Sequence, residues 1–133
     1  MTILVDTSAL LAHLDRADRH HRSAVGWLAG PGHDSGEGLL THNYVVVESV
    51  ALAQRRLGPD ALRALLEDLL AIVEIVFVDE PMHRAAVGAL LASPRRGPSL
   101  VDLVSFELMR ERGIRAAFAF DQDFRRAGFD TVP

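Results

Sequence analysis

Met1-Thr2-Ile3-Leu4-Val5-Asp6-Thr7-Ser8-Ala9-Leu10-Leu11 opens the chain, a short β-branched run that ends in one acid. Near the other end, Ala116-Ala117-Phe118-Ala119-Phe120-Asp121-Gln122-Asp123 repeats the design. Each reads as a buried strand with a carboxylate at its C-terminal end. In a parallel α/β sheet that end is where ligands bind, so acids there point to a site. Two further acids, Glu48 and Asp102, lie among apolar residues of expected helices.

Working outward, strands are expected over 3–5, 39–40, 74–78, 115–120 and 129–132. Helices are expected over 8–14, 20–28, 60–70, 82–92 and 99–112, with Gly113 as a stop, and a final turn over 123–127. Asn43 reads as the N-cap of a helix that runs to about Leu57 and is closed by Gly58-Pro59. The polar, Gly-rich stretch 30–38 and Ser93 to Pro98 read as loops. Strands alternating with helices predict an α/β fold, with a parallel sheet covered on both faces. The length of 133 residues fits one domain, 1–133.

Composition narrows the chemistry. There is no cysteine, so a metal site must use oxygen or imidazole ligands. All 14 basic residues are Arg. Without Lys there is neither a P-loop nor a Schiff-base enzyme, and a phosphoacceptor receiver domain, which places a Lys at a strand end, is also excluded. A haloacid-dehalogenase-type phosphatase needs a second Asp two residues after the first, where this chain has Ser8. A net charge of −4 argues against a surface built for nonspecific DNA binding, but leaves room for a nuclease with local Arg clusters. No apolar run approaches a membrane span, and the start has no basic export signal, so the expected address is the cytoplasm.

Each acid has a structural and a functional reading. Asp6 could cap the next helix, although Thr7 or Ser8 could do so instead and leave its carboxylate at the strand edge. Glu48 has Tyr44, Val45, Ala51 and Leu52 one turn away, which predicts a carboxylate on a buried stripe in need of a cation or an Arg. Asp102 follows Ser99 by three, the spacing of a capping box, a role compatible with metal binding. Asp121 and Asp123 could be turn residues or could face one cation together. Like charges converging in space raise one another's pKa unless a divalent cation joins them, and an all-oxygen set suits Mg²⁺ or Mn²⁺.

The series Ile3-Leu4-Val5-Asp6-Thr7-Ser8, Val45-Val46-Val47-Glu48, Ser99-Leu100-Val101-Asp102 and Phe120-Asp121-Gln122-Asp123 resembles the PIN-domain nucleases, in particular the VapC toxins of bacterial VapBC toxin–antitoxin pairs. The resemblance spans the full chain. It implies a parallel sheet in the order 3-2-1-4-5 and Mg²⁺-dependent cleavage of RNA by a metal-activated water, leaving 5'-phosphate and 3'-hydroxyl ends. Asp6, Glu48, Asp102 and Asp121 match the family's acidic positions as catalytic residues. Asp6, Asp102, Asp121 and Asp123 are the expected metal ligands, and Ser8, Thr41 and Ser99 the orienting hydroxyls. One departure is Ala119, where many members carry a Thr two residues before the last acid.

Arg95 and Arg96, in the loop before Asp102, are candidate RNA phosphate contacts, against the alternative of a solvated loop. Arg55-Arg56 and Arg110 to Arg112 fall in last helical turns, where the macrodipole accounts for them. His13, His20 and His21 read as surface residues. Val46, Leu57, Leu62, Leu65, Leu66, Leu69 and Leu70 supply apolar area beyond one sheet face, a candidate contact for a homodimer or for the helix of a VapB-like antitoxin. The competing expectations are a PIN-fold RNA-processing nuclease without an antitoxin, and a catalytically weak RNA- or protein-binding domain.

Overall fold

The computed structural model describes residues 1–34, 38–93 and 95–133. Five strands form one parallel sheet: β1 (Thr2–Val5), β2 (Gly38–His42), β3 (Glu74–Val76), β4 (Ala116–Phe118) and β5 (Asp130–Val132), in the order β3-β2-β1-β4-β5. That is the 3-2-1-4-5 order the resemblance implies. The registers Leu4↔Leu40 and Leu4↔Ala117 put β1 at the centre, so the C-terminal ends of β1 and β4 lie side by side.

Strand alternation divides the core in two. Ile3, Val5, Leu39, Ala116 and Phe118 face one layer, built on α1 (Thr7–Leu14), α2 (His21–Ala29) and part of α4 (Asn43–Arg56). Leu4, Leu40, Ala117 and Ala119 face the other, built mainly on α6 (Glu80–Ala92) and α7 (Leu100–Arg112). The period-2 side-chain direction of a strand separates Leu4 from its two neighbours, and both faces are apolar because both are covered.

Several local expectations are refined. A short helix α3 (Pro31–Asp34) begins inside the expected 30–38 loop, whose residues 35–37 lie outside the described residues, as does Pro94 of the second loop. Asn43 is not the N-cap of α4. His42 occupies that position, and the Asn43 side chain accepts the Val78 amide at 2.7 Å, fastening the chain after β3 to α4. The expected 60–70 helix is α5 (Pro59–Arg63), a π-helical stretch Ala64–Leu69 and a 3₁₀ turn Leu70–Ile72. The wider π turn brings Leu65, Leu69 and Leu70 to the core together. β3 and β4 are shorter than expected. Phe77 leaves β3 for solvent, whereas after β4 the Ala119 amide still donates to the Val132 carbonyl of β5. Helix α7 ends at Gly113 in a left-handed conformation, φ 66°, as the sequence predicts. A last helix, α8 (Asp123–Arg126), precedes β5. No helix among the described residues is long and apolar enough to cross a membrane.

Candidate functional site

The C-terminal edge of β1 holds Asp6, only 3% exposed. It is the N-cap of α1 after all, but Ser8 works with it rather than replacing it. Oδ2 of Asp6 accepts both the Ser8 amide (3.1 Å) and the Ser8 hydroxyl (2.6 Å). Both bonds fall on one oxygen, which leaves Oδ1 without a hydrogen bond among the described residues. The Ser8 hydroxyl in turn accepts the Phe120 amide at 3.0 Å.

Asp102 sits in the first turn of α7 in the expected capping box. Its carboxylate accepts the Ser99 amide at 3.1 Å, and the Asp102 amide donates to the Ser99 hydroxyl at 3.2 Å. The group that orients the Asp102 carboxylate is therefore the Ser99 amide, with the hydroxyl satisfying the helix end. Asp121 accepts the Asp123 amide at 2.9 Å, and Asp123 forms an exposed ion pair with Arg126 at 3.4 Å.

Carboxylate oxygens of Asp102, Asp121 and Asp123 lie within 4.8 Å of one another. A cation that holds hard oxygen ligands at 2.0–2.6 Å spans opposite ligands about 4–5 Å apart, so this trio matches the size of such an ion. The electrostatics agree. Burial pushes Asp6 up to about 7, against the Ser8 hydrogen bonds, with the charges of Asp102 and Asp121 raising it further. Burial likewise lifts Asp102 to about 6, with Asp121 and Asp123 adding to the rise. Such upward shifts mark a pocket of surplus negative charge, which a divalent cation would neutralise. The residues fit a divalent metal.

Two expected site residues are placed differently. The buried stripe of α4 is Val45, Ser49 and Ala53; Glu48, one residue before Ser49, is half-buried, and Ala51 beside it is exposed. The expectation of a buried Glu48 fails because a helix turns by about 100° per residue, which swings Glu48 off a stripe centred on Ser49. Glu48 is not one of the clustered trio. Thr41 is fully buried, and its hydroxyl donates to the Val5 carbonyl at 2.7 Å. It therefore steadies Asp6 through the strand backbone and not by touching a carboxylate. Ala119 is buried in the core, so no side-chain hydroxyl reaches the acids from that position; on the β1 side Ser8 supplies one to Asp6.

Arg95 and Arg96 are exposed in the loop before α7, and Arg96 lines a cavity of about 320 Å³ with Asp123 and Arg126. Asp121 lines a larger cleft of about 390 Å³. Its walls include Ser8, Arg19, His20, Leu52, Arg56 and Phe120. Arg56 and His20, read from the sequence as helix-end and surface residues, thus border the acids. The missed signal was periodic, since Leu52 and Arg56 follow Glu48 at helical spacing and share its side of α4. His42 ends β2 and carries no sequence signal of a role. It is fully buried, its Nε2 donates to the Ser105 hydroxyl at 2.8 Å, and burial depresses it to about 4. The Ser105 hydroxyl donates to Val101, which makes it the acceptor for His42 and leaves Nδ1 unpartnered.

The PIN domain family model matches residues 3–130. The 23S rRNA-specific endonuclease VapC20 of Mycobacterium tuberculosis, from strains CDC 1551 and H37Rv alike, is 35% identical over 132 residues, covering 98% of this chain and 97% of the relative. The crystal structure of Mycobacterium tuberculosis VapC20, described as a Sarcin-Ricin loop cleaving toxin, superposes with a TM-score of 0.84 at 33% identity, covering 96% of each chain. The fold is shared more distantly with VapBC2 from Rickettsia felis, bound to a DNA fragment from its promoter (TM-score 0.69, 11% identity, 98% and 97% covered). It is shared likewise with FitAcB from Neisseria gonorrhoeae (TM-score 0.70, 14% identity, 99% and 97% covered).

Proposed function

This chain belongs to the PIN-domain family, and we propose that it is a divalent-metal-dependent endoribonuclease, the toxin of a VapBC-type toxin–antitoxin pair. The observation that carries this reading is the convergence of Asp102, Asp121 and Asp123 beside the buried Asp6 at the C-terminal sheet edge. Its relatives of 33–35% identity are a 23S rRNA endonuclease and toxin, which makes ribosomal RNA the first substrate to try.

Asp6, Asp102, Asp121 and Asp123 would hold the metal, with Mg²⁺ the physiological ion and Mn²⁺ a substitute. When bound, the ion supplies Lewis acidity toward the scissile phosphate and a water of lowered pKa. The protein's part is positioning. Ser8 and the Ser99 amide fix the Asp6 and Asp102 carboxylates before substrate arrives, so little reorganisation is needed during reaction. Glu48, half-buried one helical turn before the cleft-lining Leu52, would orient the attacking water or take its proton. Arg96 and Arg126, flanking Asp123, and Arg56 across the cleft are the cations for the RNA backbone.

The same reading gives the protein, a single domain acting in the cytoplasm, a VapB-like antitoxin and a homodimer contact. Of the apolar residues singled out for such contacts, Leu65, Leu69 and Leu70 are core, whereas Leu66 is 48% exposed. Val47, Ile72 and Phe77 are more exposed still and supply surface for a partner.

The test is cleavage of a cellular RNA pool by purified protein with Mg²⁺, with EDTA, and with Asp6→Asn, mapping new 5' ends. Discrete cuts that require both metal and Asp6 are expected. Absence of cleavage by folded, antitoxin-free protein would overturn the reading.

A further inference from the structure

His20 and Phe120 stack face to face, with ring centroids 4.4 Å apart and planes 7° from parallel. One belongs to the connection between α1 and α2, the other to the segment just before Asp121. Neither ring is buried in the core, as both side chains are half-exposed. Both rings line the 390 Å³ cleft and also a second cavity of about 200 Å³. Asp121 and Arg19 line both cavities too, so the stacked pair forms a rib between two hollows that meet at a carboxylate of the acid cluster.

The surroundings of the rib alternate in character. Arg19 donates from Nε to His20 Nε2 at 3.0 Å, which fixes the guanidinium beside the ring. Arg56 lines the first hollow, and Arg125, its Nε held by Thr131 at 2.8 Å, lines the second. Asp18 also lines the first hollow, and its carboxylate accepts the His20 amide at 2.8 Å, anchoring the rib. Cations on either side of an aromatic face match the repeat of a nucleic-acid strand, in which charged phosphates alternate with flat bases.

We propose that the His20–Phe120 pair is a stacking platform for an unpaired RNA base next to the scissile phosphate, with Arg56 on one side, Arg125 on the other and Arg19 bordering both hollows to hold the flanking phosphates. The proposal rests on the nuclease reading above and adds the subsite that selects its substrate. Because the rib abuts Asp121, a base seated on it sets which phosphate reaches the acids. The platform favours RNA whose bases are splayed out of a helix, since inside a helix the stacked neighbours above and below cover both faces of a base.

The probe is a short single-stranded RNA alternating 2-aminopurine and uridine, added to the Asp6→Asn protein so that binding is read without cleavage. Stacking on the rib quenches 2-aminopurine fluorescence. Phe120→Leu is expected to abolish the quench and weaken binding by about tenfold, within the range for loss of one base–aromatic stack, whereas Phe120→Tyr keeps both. His20→Ala is the second variant, with a smaller loss in the same direction, and covers the case in which Phe120→Leu does not fold. Arg56→Gln should lower the slope of log affinity against log salt by about 1. Unchanged affinity and quench in a folded Phe120→Leu or His20→Ala protein would make the rib a structural clasp and overturn the proposal alone. Absence of any RNA binding by the parent protein would overturn it together with the nuclease reading.

Discussion

The hydroxyl of Ser8 accepts the backbone amide of Phe120 at 3.0 Å, although the two residues lie 112 positions apart. The same hydroxyl donates to Asp6 at 2.6 Å, so one side chain clamps the end of β1 to the segment that carries Asp121. The spacing of the acids thus depends on a residue that is not itself an acid.

Ser8→Ala therefore removes two hydrogen bonds at once, leaving the buried Asp6 carboxylate with the residue-8 backbone amide alone and the Phe120 amide without its acceptor. A loss of about 1–3 kcal/mol is expected in thermal unfolding. Metal affinity or turnover should fall by about 10–100-fold, as when a group that orients a metal ligand is lost. Ser8→Thr should recover most of both. Full activity in Ser8→Ala would show that the clamp is dispensable.

The metal-free protein should lose stability as pH rises. Asp6 and Asp102 have folded pKa values of about 7 and about 6, above the ordinary carboxylate value. A raised carboxylate pKa means that the folded state holds its proton more tightly than the unfolded chain. The associated stability is present in full below about pH 4, declines between about 4 and 7, and is gone above that. Tm in EDTA should fall across that window, and Mg²⁺ or Mn²⁺ should restore it at the upper end by binding the ionised form. A Tm in EDTA that rises with pH would contradict the assignment of surplus charge.

Asp102→Asn should separate stability from function. It removes a buried charge while leaving an amide oxygen to accept the Ser99 amide, so Tm in EDTA at pH 8 should stay level or rise. Mn²⁺ binding by calorimetry and RNA cleavage should both be lost. Ser99→Ala should show the reverse pattern, costing about 1 kcal/mol of stability through the lost cap while the carboxylate keeps its charge. Strong Mn²⁺ binding by Asp102→Asn would remove Asp102 from the metal site.

Glu48 lies outside the clustered trio and is half-exposed. Glu48→Gln should leave Mn²⁺ affinity and Tm unchanged while lowering kcat, because a group that orients water acts on the reaction and not on the resting metal. A large loss of Mn²⁺ affinity would instead make Glu48 a ligand.

The strands at both ends and the helix from Ser99 to Gly113 are legible in the sequence, since each is a local matter. Alternation, capping-box spacing and a stop glycine act over a few residues, and Asp102 bonded to Ser99 is the direct outcome. Glu48 departs from its expected burial because Tyr44, Val45, Ala51 and Leu52 are all apolar, yet only Val45 belongs to the buried stripe. Hydrophobicity alone does not say which side of α4 the sheet will cover. His42 and Asn43 illustrate the same limit, since their roles depend on Ser105 and Val78, which are distant in sequence.

What the sequence determined by itself is therefore the set of elements and the chemistry available to them: a parallel α/β sheet, no thiols, no lysine, and carboxylates at strand ends. What only the tertiary structure decided is which groups meet. Parallel pairing of β1 with β4 sets Asp6 beside the Asp121 segment, and the packing of α7 brings Asp102 within 4.8 Å of Asp121 and Asp123. The physical reason is that desolvation and charge–charge repulsion act through space. The upward shifts of Asp6 and Asp102, and with them the case for a metal, arise only once the chain is closed around them.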